Sequence, residues 1–90
     1  MKKHLKIIVT GRVQKVWYRA KAGEEAKRLG LAGFVQNKPD GSVYAEAEGN
    51  DAALDQFLAW CHKGPVLARV DGVTVEEGAL KNFDTFEIKG

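Results

Sequence analysis

Three cations, Arg12, Lys15 and Arg19, fall within eight positions of the stretch TGRVQKVWYRA (residues 10–20), and no acidic residue interrupts them. Such a cluster suits an anion. Arg19 carries a planar fork that grips two oxygens at once. If a helix starts beside it, up to four backbone N–H groups there lack partners, and the helix dipole favours negative charge. A terminus of this kind binds phosphate without further machinery. The same residues also read as a solvated basic turn, and spacing alone leaves both readings open.

The other candidates have plainer readings. Asn37, two residues before Pro39, suits the stabilisation of a turn. Cys61 has no His or Asp placed to activate it and is expected to be a packed thiol. His4 and His62 lie far apart, lack metal-ligand spacing and are expected at the surface. Glu24 and Glu25 read as a solvated helix face. Trp17 and Trp60 suit either a core edge or the wall of a site. No metal site is expected.

The elements that must position these residues follow from periodicity. HLKIIVT (residues 4–10) alternates Leu5, Ile7 and Val9 against Lys6, Ile8 and Thr10, as a half-buried strand does. Gly11 then allows a sharp turn. From about Tyr18 to Leu29 the spacing becomes helical, with Tyr18, Ala22, Ala26 and Leu29 on one stripe and Gly30 as a stop. AGFVQNK and GSVYAEAEG flank KPDG, a hairpin signal with Pro39 at the second turn position and Gly41 able to turn left-handed. Asn50 is placed to cap a second helix whose buried stripe is Leu54, Phe57, Leu58 and Cys61. DGVTVEE and FDTFEIK read as further strands.

The order β-α-β-β-α-β, with room for a short last strand, predicts an α+β, ferredoxin-like sandwich: an antiparallel sheet with two helices on one face. Ninety residues make one domain at most, residues 1–90, so any site must sit on the surface of a single unit. The hydrophobic share of 44% and charged share of 29% are those of a globular chain rather than a disordered or membrane one. The longest apolar run near the N-terminus, Ile7 to Val9, falls short of the roughly 7–15 residues of a signal peptide core and the about 20 of a membrane span. With a single cysteine this points to the cytoplasm, with no membrane partner. The net charge of +2 argues only for local anion affinity. An RNA-recognition module would show stacking aromatics on its open sheet face. Here that face would offer Lys6, Ile8 and Thr10 beside Tyr44, Glu46 and Glu48, a poor platform for a polyanion, so no nucleic-acid partner is expected.

Two longer stretches carry a resemblance. VTGRVQKVWYR resembles the first signature of the acylphosphatase family. GFVQNKPDGSVYAEAEG resembles the second, matching Gly33, Phe34, Asn37, Gly41, Val43 and Gly49 at the family's spacing. LGLAGFV and KGPVLARVDGV are also similar to the family, so the resemblance spans nearly the whole chain. Lys15 stands where the family usually has Gly, and Tyr18 where Phe or Met is commoner. A Cβ at position 15 would cost on the order of 1 kcal/mol if that position requires positive φ.

The resemblance implies a metal-independent hydrolase without cofactor that splits carboxyl-phosphate anhydrides into a carboxylate and inorganic phosphate. Arg19 would grip the phosphoryl oxygens, and backbone N–H groups of Arg12, Val13, Gln14, Lys15, Val16, Trp17 and Tyr18 would complete the cradle. Asn37 would orient the attacking water. The partner would be a small-molecule acyl phosphate, and the protein a monomer. A non-catalytic anion-binding or protein-interaction domain on the same fold is the alternative.

Overall fold

The computed structural model of the protein describes residues 1–90. The chain runs β1 (Lys2–Arg12), α1 (Tyr18–Arg28), β2 (Ala32–Asn37), β3 (Val43–Asn50), α2 (Asp51–Lys63), β4 (Arg69–Gly78) and β5 (Phe86–Ile88). The strands form one sheet in the order β4-β1-β3-β2-β5. Alternation in β1 sends Leu5, Ile7 and Val9 into the core, where they meet Tyr18, Ala22 and Ala26 of α1 and Leu54, Phe57 and Cys61 of α2. These are the residues that periodicity assigned to the buried stripes. Asn50 caps α2 as expected, its Oδ1 accepting from Ala53 N–H at 2.8 Å. The hairpin closes through Gly41 N–H donating to the Lys38 carbonyl at 3.1 Å, with Pro39 second in the turn and Gly41 at φ 95°.

Three features differ from expectation. The first strand does not stop at Thr10: it continues to Arg12 past a shift of register against β4 between Thr10 and Gly11. Gly11 sits there at φ 122°, and any Cβ would run into the Arg69 carbonyl oxygen, so the bulge requires glycine. The sheet is also not wholly antiparallel. β5 joins β2 in parallel, because β4 ends opposite His4 at one edge while β5 must start opposite Gly33 near the other. Residues 79–85 therefore cross the sheet on the side away from the helices.

That crossing overturns the surface assignment of His4, which is 0% exposed. Phe83 stacks on its ring at 5.8 Å, and the ring's Nδ1 lies 2.8 Å from Glu48 Oε2. Glu46 and Glu48, expected on an open face, are buried under the same strap. His62 is exposed, as expected. Nothing local in the sequence around His4 announces a cover supplied by residues almost eighty positions later.

Candidate active site

The ends of β1, β2 and β5 meet at the edge of the sheet away from the strap. The loop from Val13 to Trp17 leaves β1 there and enters α1. Lys15 (φ 61°) and Trp17 (φ 69°) are left-handed, and Val16 between them is not. Alternation of this kind turns successive N–H groups into one concave surface suited to an anion. Left-handed backbone costs a non-glycine residue about 1–2 kcal/mol, so the loop holds its shape against local preference.

The N–H groups along this path are open. None from Val13 to Ala20 donates to a backbone acceptor, and the first bond of the helix is Lys21 N–H to the Trp17 carbonyl at 3.0 Å. Trp17 occupies the cap position of α1 with no side-chain cap, and the first turn contains no acidic residue. Most helices close this terminus with Ser, Thr, Asp or Asn. Here the dipole and the unpaired donors face outward together.

Residues of this loop and of the first turn of α1 line a depression of about 340 Å³. Arg19, Lys15 and Asn37 supply its polar wall, and Val13, Trp17 and Ile88 much of the rest. No carboxylate lines it. One Arg19 nitrogen, Nη1, donates to the Lys89 carbonyl at 2.9 Å, which anchors one side of the guanidinium. Neither Arg19 nor Lys15 has an ion-pair partner within 4.0 Å. Asn37 Oδ1 is buried with no hydrogen-bond partner in the protein. A buried acceptor left unpaired costs roughly 1–3 kcal/mol, and no donor of the chain offsets that cost here.

Two side chains tie the loop to its surroundings. Gln14 donates through Nε2 to the Lys38 carbonyl at 2.7 Å and the Ser42 carbonyl at 2.8 Å, locking the cradle to the hairpin that carries Asn37. Asp40 stiffens that hairpin by accepting from the Ser42 hydroxyl and N–H, and these two bonds hold its carboxyl below the ordinary range. Tyr18 turns inward, and its hydroxyl donates to the Cys61 carbonyl at 2.8 Å. Burial raises the Tyr18 phenol well above its ordinary value, with the neighbouring Cys61 adding to the effect, so it stays a neutral donor. Burial likewise pushes the Cys61 thiol up to about 12, as suits a packed side chain.

Of the residues singled out in the sequence, Val13, Lys15, Trp17, Tyr18, Arg19 and Asn37 are brought together at the depression. The side chains of Arg12, Gln14 and Val16 are not. Arg12 is exposed opposite Arg69 at the start of β4, Gln14 bonds the hairpin, and Val16 is buried. Trp17 is site wall and not core edge, being 70% exposed. Sequence reasoning missed Ile88 and the Lys89 carbonyl. A three-residue strand near the C-terminus carries no chemical signal of its own.

The chain has clear relatives. The acylphosphatase family model matches residues 5–88. The acylphosphatase of Methylococcus capsulatus is 53% identical over 78 residues, covering 87% of this chain and 85% of that protein. The acylphosphatase of a Nocardioides species is 45% identical over 89 residues, covering 99% of this chain and 90% of the other. The crystal structure of acylphosphatase from Bacillus subtilis matches with a TM-score of 0.95 at 36% identity, over the full length of both chains.

Proposed function

The chain belongs to the acylphosphatase family, and from that premise we propose that it hydrolyses small acyl phosphates to a carboxylate and inorganic phosphate. The N–H groups of the Val13–Tyr18 loop and the Arg19 guanidinium hold the phosphoryl oxygens, and Asn37 accepts a hydrogen bond from the attacking water. The observation that carries this reading is the partnerless Asn37 Oδ1 in the same depression as Arg19, beneath unpaired N–H groups.

The chemistry suits so sparse a site. Phosphoryl transfer depends mainly on positioning and charge stabilisation. The water oxygen bonds to phosphorus as the bond from phosphorus to the acyl oxygen breaks, and the carboxylate leaves with the electron pair. Carboxylate is a good leaving group, so no general acid is needed. No side-chain base lines the depression, and a phosphoryl oxygen of the substrate takes the water proton. No His, Cys, Asp or Glu lines the depression to hold a metal ion there, and the reading takes the reaction as metal-independent. No helix is long and apolar enough to cross a membrane. The reading extends to a single-domain monomer working in the cytoplasm, supported by the unpaired Cys61.

Purified protein is expected to hydrolyse benzoyl phosphate at an undiminished rate in excess chelator, with inorganic phosphate competing. Activity lost in chelator and restored by a divalent ion would overturn the metal-independent step. Phosphate binding without turnover would leave an anion-binding domain.

A further inference from the structure

A second depression, of about 410 Å³, lies on the far side of Trp17 and is almost wholly apolar. Trp60, Pro65, Val66 and Leu67 face Trp17 across it, with Lys21 at the rim. Its wall is expensive for a free surface. Trp17 is 70% exposed although its backbone is left-handed, a conformation an indole gains nothing from locally. Val66 is 100% and Leu67 66% exposed at the two central positions of a turn closed by Ala68 N–H donating to the Pro65 carbonyl at 3.0 Å. Such positions usually carry Gly, Asn, Asp or Ser.

The sheet order gives the groove a direction. Asn37 ends β2, on one side of β1, whereas Pro65–Leu67 lead into β4 on the other. In an in-line displacement the attacking and leaving oxygens lie on opposite sides of phosphorus. Water held by Asn37 therefore sends the leaving carboxylate away from β2, toward Trp17 and the groove behind it. Trp17 lines both depressions, so the two adjoin at its ring.

Resting on the hydrolase reading above, we propose that the Trp17–Trp60–Leu67 groove is the subsite for the acyl substituent, and that it selects apolar acyl groups long enough to pass the Trp17 ring. An acetyl group ends before the groove. Each further methylene laid against it gains on the order of twofold to fourfold.

The test compares kcat/KM for acetyl phosphate and for a linear acyl phosphate of six to eight carbons, in the wild type and in Leu67→Asp and Leu67→Phe. Leu67 is exposed and outside the cradle, so both variants should fold, which their melting temperatures check. The wild type should favour the long substrate by about tenfold or more. Leu67→Asp should bring the ratio close to one with acetyl phosphate turnover and phosphate inhibition unchanged, and Leu67→Phe should keep the preference. Equal rates for both substrates in the wild type, or a preference that survives Leu67→Asp, would overturn the subsite and leave the hydrolase reading standing. No turnover of either substrate would remove the hydrolase reading and the subsite with it.

Discussion

The two ends of the sheet handle polar groups in opposite ways. At the strap end, Glu48 accepts from the N–H groups of Lys81 and Phe83 and pairs with His4. Glu46 accepts from the Tyr44 hydroxyl and the Lys81 ammonium, and the other imidazole nitrogen, Nε2, lies 3.0 Å from it. Charges are buried there and mostly paired, although His4 Nε2, despite its approach to Glu46, makes no hydrogen bond. At the cradle end, donors run unpaired from Val13 to Ala20, two cations face no carboxylate, and the Asn37 carbonyl oxygen has no partner. Buried polar groups left open in a native chain need an explanation. The strap end pairs its carboxylates within the chain, whereas the loop end leaves its donors and one acceptor without partners.

On that contrast, a substitution at one end should move activity and at the other stability. The largest effect is expected from Arg19→Ala, which should lower kcat/KM by on the order of 10² to 10³, the usual loss of one preorganised charge-stabilising donor. Its melting temperature should change little, and Arg19→Lys should restore little activity, because an ammonium lacks the two-point fork. Asn37→Ala should lower kcat by about 10² with the phosphate inhibition constant nearly intact. Since it removes an unsatisfied buried acceptor, it should not destabilise the fold. A near-normal kcat with a lower melting temperature would return Asn37 to the role of turn stabiliser.

At the other end the signs reverse. Glu48→Ala strips two backbone N–H groups and an imidazole of their acceptor, at a cost of roughly 3 kcal/mol. For a domain of this size the melting temperature should fall by about 10–20 °C, with kcat/KM unchanged at temperatures where the protein is folded.

Acid should act through the same carboxylates. Burial alone would raise Glu48, but the Lys81 N–H, His4 and the Phe83 N–H outweigh it and hold its carboxyl below the ordinary value; Glu46 is held down likewise by Tyr44, Lys81 and His4. A carboxyl lowered in the folded state stabilises at pH above its unfolded value, about 4.3 for glutamate. That stabilisation is lost as pH falls from there through the lower folded value. Melting temperatures taken downward from about pH 5 should show this decline, and Glu48→Gln should flatten it. An unchanged slope would mean that acid acts elsewhere.

The smallest effect concerns Lys15, where φ is 61°. Replacing it with glycine relieves left-handed strain but adds freedom to the unfolded chain, so stability should rise by less than about 1 kcal/mol. Phosphate inhibition should weaken, with a shallower dependence on ionic strength, because an exposed cation leaves the depression. A lower melting temperature with an unchanged salt slope would show that Lys15 is neither strained nor coupled to the bound anion.

What the sequence by itself determined is whatever depends on neighbours within a few positions. The alternation of Leu5, Ile7 and Val9 called for a half-buried strand, the stripe from Tyr18 to Ala26 for a helix, Pro39 and Gly41 for the hairpin turn, and Asn50 for a cap. Together with the two signatures these made the α+β sandwich and the loop beneath Arg19 legible. Tertiary structure alone decided how distant stretches meet. It brought Asn37 of β2 to the loop after β1, laid residues 79–85 over His4, and turned β5 parallel so that the Lys89 carbonyl reaches Arg19. The physical reason is range. Periodicity and turn chemistry report the local backbone, whereas the burial of a histidine or the orphaning of an amide oxygen depends on which remote segment covers it, and that follows from the order of strands across the sheet.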